Sequence, residues 1–275
     1  MQPVVVVIPV YNPNPSASEL FSFKQCFNIL NQYPIIILAP DNMDLKKYED
    51  TVAGFKTISI PPVWQSGLLE YNKLKVSTFF YELFKEYEYL LTYELDAFVF
   101  KNELQYWWKR SFDYIGAPWF EGLASPISNN IIGVGNSGFS LRNVQSCLRI
   151  LKRIHYLKSL RTFWFKSRLQ ALIRFSTILS GLKTYFHIQS ISELDQLFFD
   201  NELNEDFYWT RAVAKAFDDY RVAPIDDACK FSFDANPAFL FKRNKGELPF
   251  GCHAWERHEP EFWKQFIPVR EQSVL

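Results

Sequence analysis

The sequence predicts an α/β fold, an open, mostly parallel mixed sheet flanked by helices. Three observations lead there. The first 100 residues alternate short, continuous apolar runs with segments of helical period. The early apolar runs stop at Pro, Asn or Asp, as buried strands do where they leave the core. Neither G-x-G-x-x-G after the first strand nor G-x-x-x-x-G-K-[ST] occurs, which argues against a Rossmann dehydrogenase and a P-loop NTPase. The length of 275 residues suits one domain over 1–275 with a basic helical insertion at 148–190.

The elements follow in order. Residues 4–8 form a β-branched strand ended by Pro9, Asn12, Pro13 and Pro15. A helix is expected over 18–30, with Ser18 as N-cap and Leu20, Phe23, Phe27 and Leu30 on one face. Strands are expected at 35–38 and 55–60, the second closed by Pro61 and Pro62. An amphipathic helix over 71–87 precedes a strand at 89–93. In open parallel sheets ligands bind beyond the C-terminal strand ends, here positions 9–12, 41–42 and 94–96.

The middle changes character. Residues 122–192 hold no acid and ten basic side chains, and 148–182 reads as helical. This basic face either packs on the acidic stretch 193–206 and solvent, or it meets a membrane surface or a phosphorylated acceptor through 148–183. The last third reads as short strands at 221–224 and 231–233 and a loop at 249–256.

Composition narrows the partners. Net charge is zero, so no nucleic acid is expected as a partner. Cys26, Cys147, Cys229 and Cys252 form no C-x-x-C pair and read as reduced, buried thiols. No basic leader and no apolar run of about 20 residues is seen. The expected location is the cytoplasm, free or on the inner face of a membrane. Aromatic residues reach 18%. Most are expected in the core, with a minority available to face a sugar.

Four constellations can carry chemistry. Glu94 and Asp96 leave an apolar strand two residues apart. Unpaired carboxylates there are costly, and both can turn to one metal or ribose. Gly133, Gly135 and Gly138 surround Asn136 and Ser137, in either a plain turn or a loop that lets backbone approach a ligand. Glu205 and Asp206 are either a helix start capped by Asn204 or a general base with its neighbour. His253 lies on a loop beside Trp255 and Glu256, as structural residue, metal ligand or diphosphate contact.

These segments resemble a sequence-defined family of bacterial and eukaryotic glycosyltransferases. The resemblance is carried by Val6-Val7-Ile8-Pro9-Val10-Tyr11, Tyr71-Asn72-Lys73-Leu74, Leu95-Asp96-Ala97-Phe98-Val99-Phe100 and Tyr114-Ile115-Gly116-Ala117-Pro118-Trp119. It continues in Gly135-Asn136-Ser137-Gly138-Phe139-Ser140-Leu141-Arg142, Glu205-Asp206 and Pro249-Phe250-Gly251-Cys252-His253-Ala254-Trp255. It covers nearly the whole chain outside the basic region. It implies a GT-A-like fold and a nucleotide-diphosphate-sugar donor. Pro9, Val10 and Tyr11 would then lie near the nucleobase, and Asp96 and His253 near the diphosphate or its metal. Asp206 would be the base, with Glu205 beside it. Asp41, Asn72, Lys73, Asn136, Ser137 and Gly138 complete the expected donor site.

One departure concerns the metal. Many GT-A enzymes carry D-x-D at this strand end. If Asp96 is the first Asp, the second position is Phe98, which binds no metal. Alternatively Glu94-Leu95-Asp96 is the motif, which looks like the E-x-D of fungal α-mannosyltransferases. In that register Glu94, Asp96 and His253 would ligate Mn2+ or Mg2+. The expected activity is transfer of a sugar to a hydroxyl of a polysaccharide or glycolipid, inverting if Asp206 is the base. The alternatives are an inactive nucleotide- or membrane-binding module on the same fold, or a nucleotidyltransferase. The nucleotidyltransferase lacks its usual Gly-rich basic loop after the first strand.

Overall fold

A computed structural model describes residues 2–123, 125–167, 173–199 and 204–268. The first half runs β1 (Gln2–Pro9), α1 (Ala17–Leu30), β2 (Ile35–Pro40), α2 (Lys46–Thr51), β3 (Lys56–Ile60), α3 (Leu68–Lys75), α4 (Thr78–Glu82) and β4 (Tyr87–Tyr93). Then come β5 (Phe98–Val99), α5 (Leu104–Trp108), β6 (Tyr114–Ile115), β7 (Ala117–Phe120), β8 (Ile131–Gly135) and β9 (Phe139–Asn143). The second half holds α6 (Val144–Lys166), α7 (Phe175–Leu182), α8 (Ile191–Phe199), α9 (Glu205–Phe207), a π-helix (Tyr208–Val213) and α10 (Ala214–Ala216). It ends with α11 (Ile225–Phe231), β10 (Ser232–Phe233), α12 (Pro237–Arg243), β11 (Gly251–Cys252) and α13 (Pro260–Trp263).

The main sheet has the order β3-β2-β1-β4-β9-β6. Neighbours pair in parallel from β3 through β4, and β9 runs antiparallel to both β4 and β6. The mostly parallel mixed sheet is thus the architecture the alternating pattern predicts. Strand β1 shows why its run is continuous. Val5 and Val7 enter the core with α3, α4 and α6, while Val4, Val6 and Ile8 enter the opposite core with α1 and α5. Both faces are covered, so every side chain must be apolar. The chain leaves β1 toward β2 on one side and later returns to β4 on the other. The β1/β4 border is therefore a topological switch point, where the strand ends open into a crevice.

Local chemistry moved several boundaries. The N-cap of α1 is Ser16, not Ser18. The Ser16 hydroxyl accepts from the Glu19 N–H and Glu19 returns the contact to the Ser16 N–H, a complete capping box. The helix expected over 71–87 breaks between α3 and α4, because Ser77 caps a new helix through the Phe80 N–H. The Lys75 carbonyl freed at the break accepts from Tyr81 Oη at 3.1 Å and Trp209 Nε1 at 3.2 Å. The strand expected at 221–224 is a single bridge between Val222 and Tyr114, and a helix, α11, occupies Ile225–Phe231. The helical region expected over 148–182 comprises α6 and α7, and its positions 168–172 lie outside the described residues.

The buried stripe of α6, including Leu148, Ile150, Leu151, Ile154 and Leu157, belongs to the same core as the main sheet. Three of its basic side chains meet acids outside 193–206, while Arg161 stands over the Phe198 ring, within that stretch, at 5.9 Å. Arg153 and Arg149 pair with Asp219 at 2.7 and 3.3 Å, and Lys152 with Glu82 at 2.7 Å. All four cysteines are free and buried. No helix among the described residues is long and apolar enough to cross a membrane.

A small second sheet positions the end of the chain. It has the order β10-β11-β5, with Cys252 opposite Phe98 and beside Phe233. The residues just past these partners, Asp234 and His253, are thereby carried to the turn that holds Asp96.

Candidate active site

Glu94 and Asp96 lie just past the end of β4, as expected, but not in extended strand geometry. They flank Leu95 in a turn closed by the Ala97 N–H donating to the Glu94 carbonyl at 2.9 Å. The turn buries Leu95 and leaves both carboxylates facing His253. One ligand atom from each of Glu94, Asp96 and His253 lies within 4.8 Å of the other two. Phe98 is buried in a further core with Phe233, Trp255 and Trp263 and stacks on Phe21 at 5.6 Å, so it belongs to packing.

The two oxygens of Glu94 have separate tasks. Oε1 accepts from Tyr71 Oη at 3.1 Å, Lys75 Nζ at 3.1 Å and Ser137 Oγ at 3.2 Å. Oε2 faces His253 Nε2 at 3.5 Å. Burial alone would raise this carboxyl, but Lys75 and His253 outweigh it and hold it well below the usual carboxylate range.

His253 Nε2 lies 3.0 Å from Asp96 Oδ1 yet makes no hydrogen bond among the described residues. Nδ1 is held by Asp234 Oδ1 at 3.3 Å and Asn136 Nδ2 at 3.0 Å. Burial would lower the imidazole pKa, but Asp96, Asp234 and Glu94 raise it well above the usual value. An orphaned ring nitrogen, two carboxylates and a carboxylate behind the ring form a donor set that fits a divalent cation. Gly138 makes the approach possible. A Cβ there would overlap the His253 ring and lie 2.9 Å from Glu94 Oε2. The close approach this glycine permits is that of side chains of the protein itself.

Asn136 is the hub of the Gly-rich loop, at φ 71°. Its N–H donates to Asp206 Oδ2 at 3.1 Å, its carbonyl accepts from Tyr114 Oη, and its Oδ1 accepts from the Phe139 N–H at 3.2 Å. It therefore links His253 to Asp206. Asp206 also accepts from the Phe207 N–H at 2.9 Å. Burial, then the charge of Glu205, pushes the Asp206 carboxyl up to about 6.

Glu205 has a different place from the one expected beside a reacting hydroxyl. It is fully enclosed, with Arg142 Nη2 at 2.8 Å and Lys75 Nζ at 3.2 Å, both likewise at 0% exposure. It balances buried cations, and Arg142 and Lys75 overcome burial to keep it ionised. The expected cap contact of Asn204 is also absent; its Oδ1 instead accepts from Asn72 Nδ2 at 3.3 Å.

A cleft of about 480 Å³ opens at the switch point. Pro9, Tyr11, Tyr71, Glu94, Asp96 and Arg257 contribute to its lining, with the 65–68 segment on its far wall. Tyr11 stands 65% exposed at the rim and Val10 is buried beneath. Asp41 is exposed beyond β2 and lies outside the lining, its N–H donating to the Ile60 carbonyl. Asn72 accepts from the Glu205 N–H at 3.4 Å, tying α3 to α9. Lys73 turns outward to Glu70 at 3.9 Å, whereas Lys75 enters the site and contacts the Ser137 hydroxyl.

Sequence reasoning missed Lys75, Arg142, Tyr71 and Asp234. Tyr71 and Lys75 are four apart on α3, hence on one face, and this spacing was the available signal for both. Asp234 carried none, since its place depends on pairing between two two-residue strands.

A family model described as "Protein of unknown function (DUF5672)" matches residues 54–253. No curated protein matches the sequence. Among solved structures, mouse xyloside xylosyltransferase 1 in its apo form is similar at 10% identity and TM-score 0.44, over 92% of this chain and 97% of that one. The apo glycosyltransferase GlyE of Streptococcus pneumoniae is similar at 12% identity and TM-score 0.43, over 92% of this chain and 54% of that one. The galactosyltransferase LgtC, in complex with donor and acceptor sugar analogues, is similar at 10% identity and TM-score 0.44, over 97% and 92%.

Proposed function

The chain belongs to this uncharacterised family, and on that premise we propose that it is a glycosyltransferase using a nucleotide-diphosphate-sugar. The observation that carries the reading is the Glu94, Asp96 and His253 cluster at the end of β4, on the border of a cleft sized for a nucleotide. Tyr11 at the rim offers a ring for a nucleobase, and Arg257 a cation for phosphate.

Glu94, Asp96 and His253 would hold Mn2+ or Mg2+, which when bound neutralises charge on a leaving diphosphate. Lys75, Tyr71 and Ser137 fix one oxygen of Glu94 and leave the other for this task. Asp206 is the base for an inverting displacement. It takes the acceptor hydroxyl proton as the acceptor oxygen bonds to the sugar C1 and the bond from C1 to the diphosphate breaks. Its raised pKa suits proton uptake near neutral pH.

The acceptor is a glycan or glycolipid hydroxyl. A peripheral membrane contact is part of the same reading. Exposed Tyr156, Phe163, Phe165 and Tyr185 lie among Lys158, Lys166, Arg174 and Lys183, and an anionic lipid surface fits this mix of rings and cations.

The test is a thermal-shift screen with UDP, GDP, CDP and their sugars, with Mn2+ or with EDTA. One nucleotide raising the melting temperature, more so with metal, is the expected result. No shift with any of them would move the fold to a binding role without a nucleotide-sugar donor.

A further inference from the structure

Immediately after Asp206 and Phe207 the chain winds into the π-helix Tyr208–Val213. Wide turns of this kind are rare and recur at functional sites. This one brings Thr210 and Arg211 to the outer side of the β7–β8 hairpin. There they line a second cleft of about 360 Å³ with Trp119, Ile132, Gly133 and Lys215. The cleft is separate from the one at the end of β4, and no role given above uses it.

Its walls are fixed. Trp119 stacks on Phe207 at 4.3 Å and 23°. The Arg211 guanidinium stands 5.4 Å from the Trp119 ring centre and 5.1 Å from that of Phe207. Among the described residues, one of its five N–H groups reaches a protein acceptor, the Ile132 carbonyl at 3.4 Å. No carboxylate among the described residues lies within ion-pair distance of Arg211. Arg110, Arg142, Arg149, Arg153 and Arg243 each have one. The nearest acid in sequence, Asp206, is tied to the Asn136 and Phe207 N–H groups instead. Lys215 adds a second cation at the rim, 3.7 Å from Glu193. Gly133 keeps the space open. A Cβ there would meet Trp119 at 3.5 Å and Arg211 Nη2 at 3.8 Å, ordinary contacts without a clash.

We propose that this cleft binds an anionic group, carboxylate or phosphate, on the acceptor sugar. The planar guanidinium, half-buried and pre-oriented by two rings, suits two oxygens of one anion. Ile132 and the edge of Trp119 offer apolar surface to the sugar's C–H groups. The word acceptor rests on the transfer reading above; the anion site rests on the cleft itself. The cleft is lined in part by the π-helix that begins two residues after Asp206.

The experiment is a set of ligand-observed NMR titrations of the full chain with glucuronate, glucose 6-phosphate and glucose. At least one charged sugar should bind about tenfold more tightly than glucose. Arg211→Gln should abolish that preference. Gly133→Val, which fills the cleft and keeps the cation, should abolish it too. The melting-temperature rise with a nucleotide-sugar should be unchanged in both variants. Preference for glucuronate alone identifies a carboxylate, and preference for glucose 6-phosphate alone a phosphate. Equal or absent binding of all three sugars, or a charged preference that survives in both variants, overturns the proposal. If the preference behaves as expected but no nucleotide stabilises the protein, the transfer reading fails and the anionic-sugar site stands.

Discussion

Nδ1 of His253 lies 3.3 Å from Oδ1 of Asp234, while Nε2 on the other side of the ring faces Asp96 at 3.0 Å. A carboxylate behind a ligating imidazole sets its tautomer and aims its free nitrogen. Asp234→Ala is expected to weaken Mn2+ binding by about 10–100-fold, with the far-ultraviolet circular dichroism unchanged. Calorimetric titration of metal into both proteins measures this. Equal affinity would reduce Asp234 to a charge-balancing neighbour.

Gly138→Ala should separate metal dependence from nucleotide contact. The added methyl group overlaps the His253 ring and crowds Glu94, so the three ligands cannot keep their spacing. The variant should fold with a loss of about 1–3 kcal/mol. It should keep only the part of the nucleotide stabilisation that survives EDTA in the parent protein. Melting curves with and without Mn2+ decide the matter.

Lys75→Met should be the most damaging change to stability near the site. It strips a buried cation from Glu205 and Glu94 together. A loss of about 3–5 kcal/mol is expected, because a buried charge is left without its partner. Adding Glu94→Gln to this variant should recover part of the loss, because the buried Arg142–Glu205 pair is then left balanced. Urea unfolding of the single and double variants checks both statements.

The Asp206 carboxyl gives a pH signature. Its pKa is raised to about 6 in the fold, so the protonated form is favoured there. It therefore stabilises the fold fully below the unfolded value near pH 4, and this contribution is lost as pH rises through about 6. Asp206→Asn stays neutral throughout. Its stability relative to the parent should grow across that window, by up to about 3 kcal/mol at neutral pH. Transfer by the parent should rise over the same window, and the variant should transfer little at any pH. A variant with full rate would remove Asp206 from the base role.

The face around α6 and α7 predicts a salt-sensitive lipid contact. Vesicles rich in anionic lipid should pellet the protein at low salt and release it at high salt, whereas neutral vesicles should not bind it. Binding that ignores both lipid charge and salt would argue for another use of these exposed rings.

What the sequence disclosed follows from the range of the forces involved. Strands β1, β2 and β4 of the main sheet were legible because burial on both faces demands unbroken apolar runs, as in Val4 through Ile8, whereas the two-residue β6 carried no such run. The polar groups Glu94, Asp96 and His253 stood out because each interrupts apolar surroundings. The break at Ser77 and the cap at Ser16 turned on single hydroxyl contacts, which periodicity does not register. Lys75 was hidden behind Lys73, since composition treats two lysines of one helix alike and only the facing direction separates them. Asp234 was out of reach because β10 and β11 are two residues each, too short to carry any period.

The bond between Asn136 and His253 spans 117 positions of sequence, and it is one of several contacts that deliver the end of the chain to the turn after β4. A cation held by Glu94, Asp96 and His253 would thus act as a staple between early and late parts of the polypeptide. Closing a long loop costs only slightly more entropy than closing a short one, so the staple constrains much chain at modest expense. Loss of the ion would first loosen the late segment around β10 and β11, leaving the early strands paired. Resistance to proteolysis in that segment would then report how fully the site is loaded.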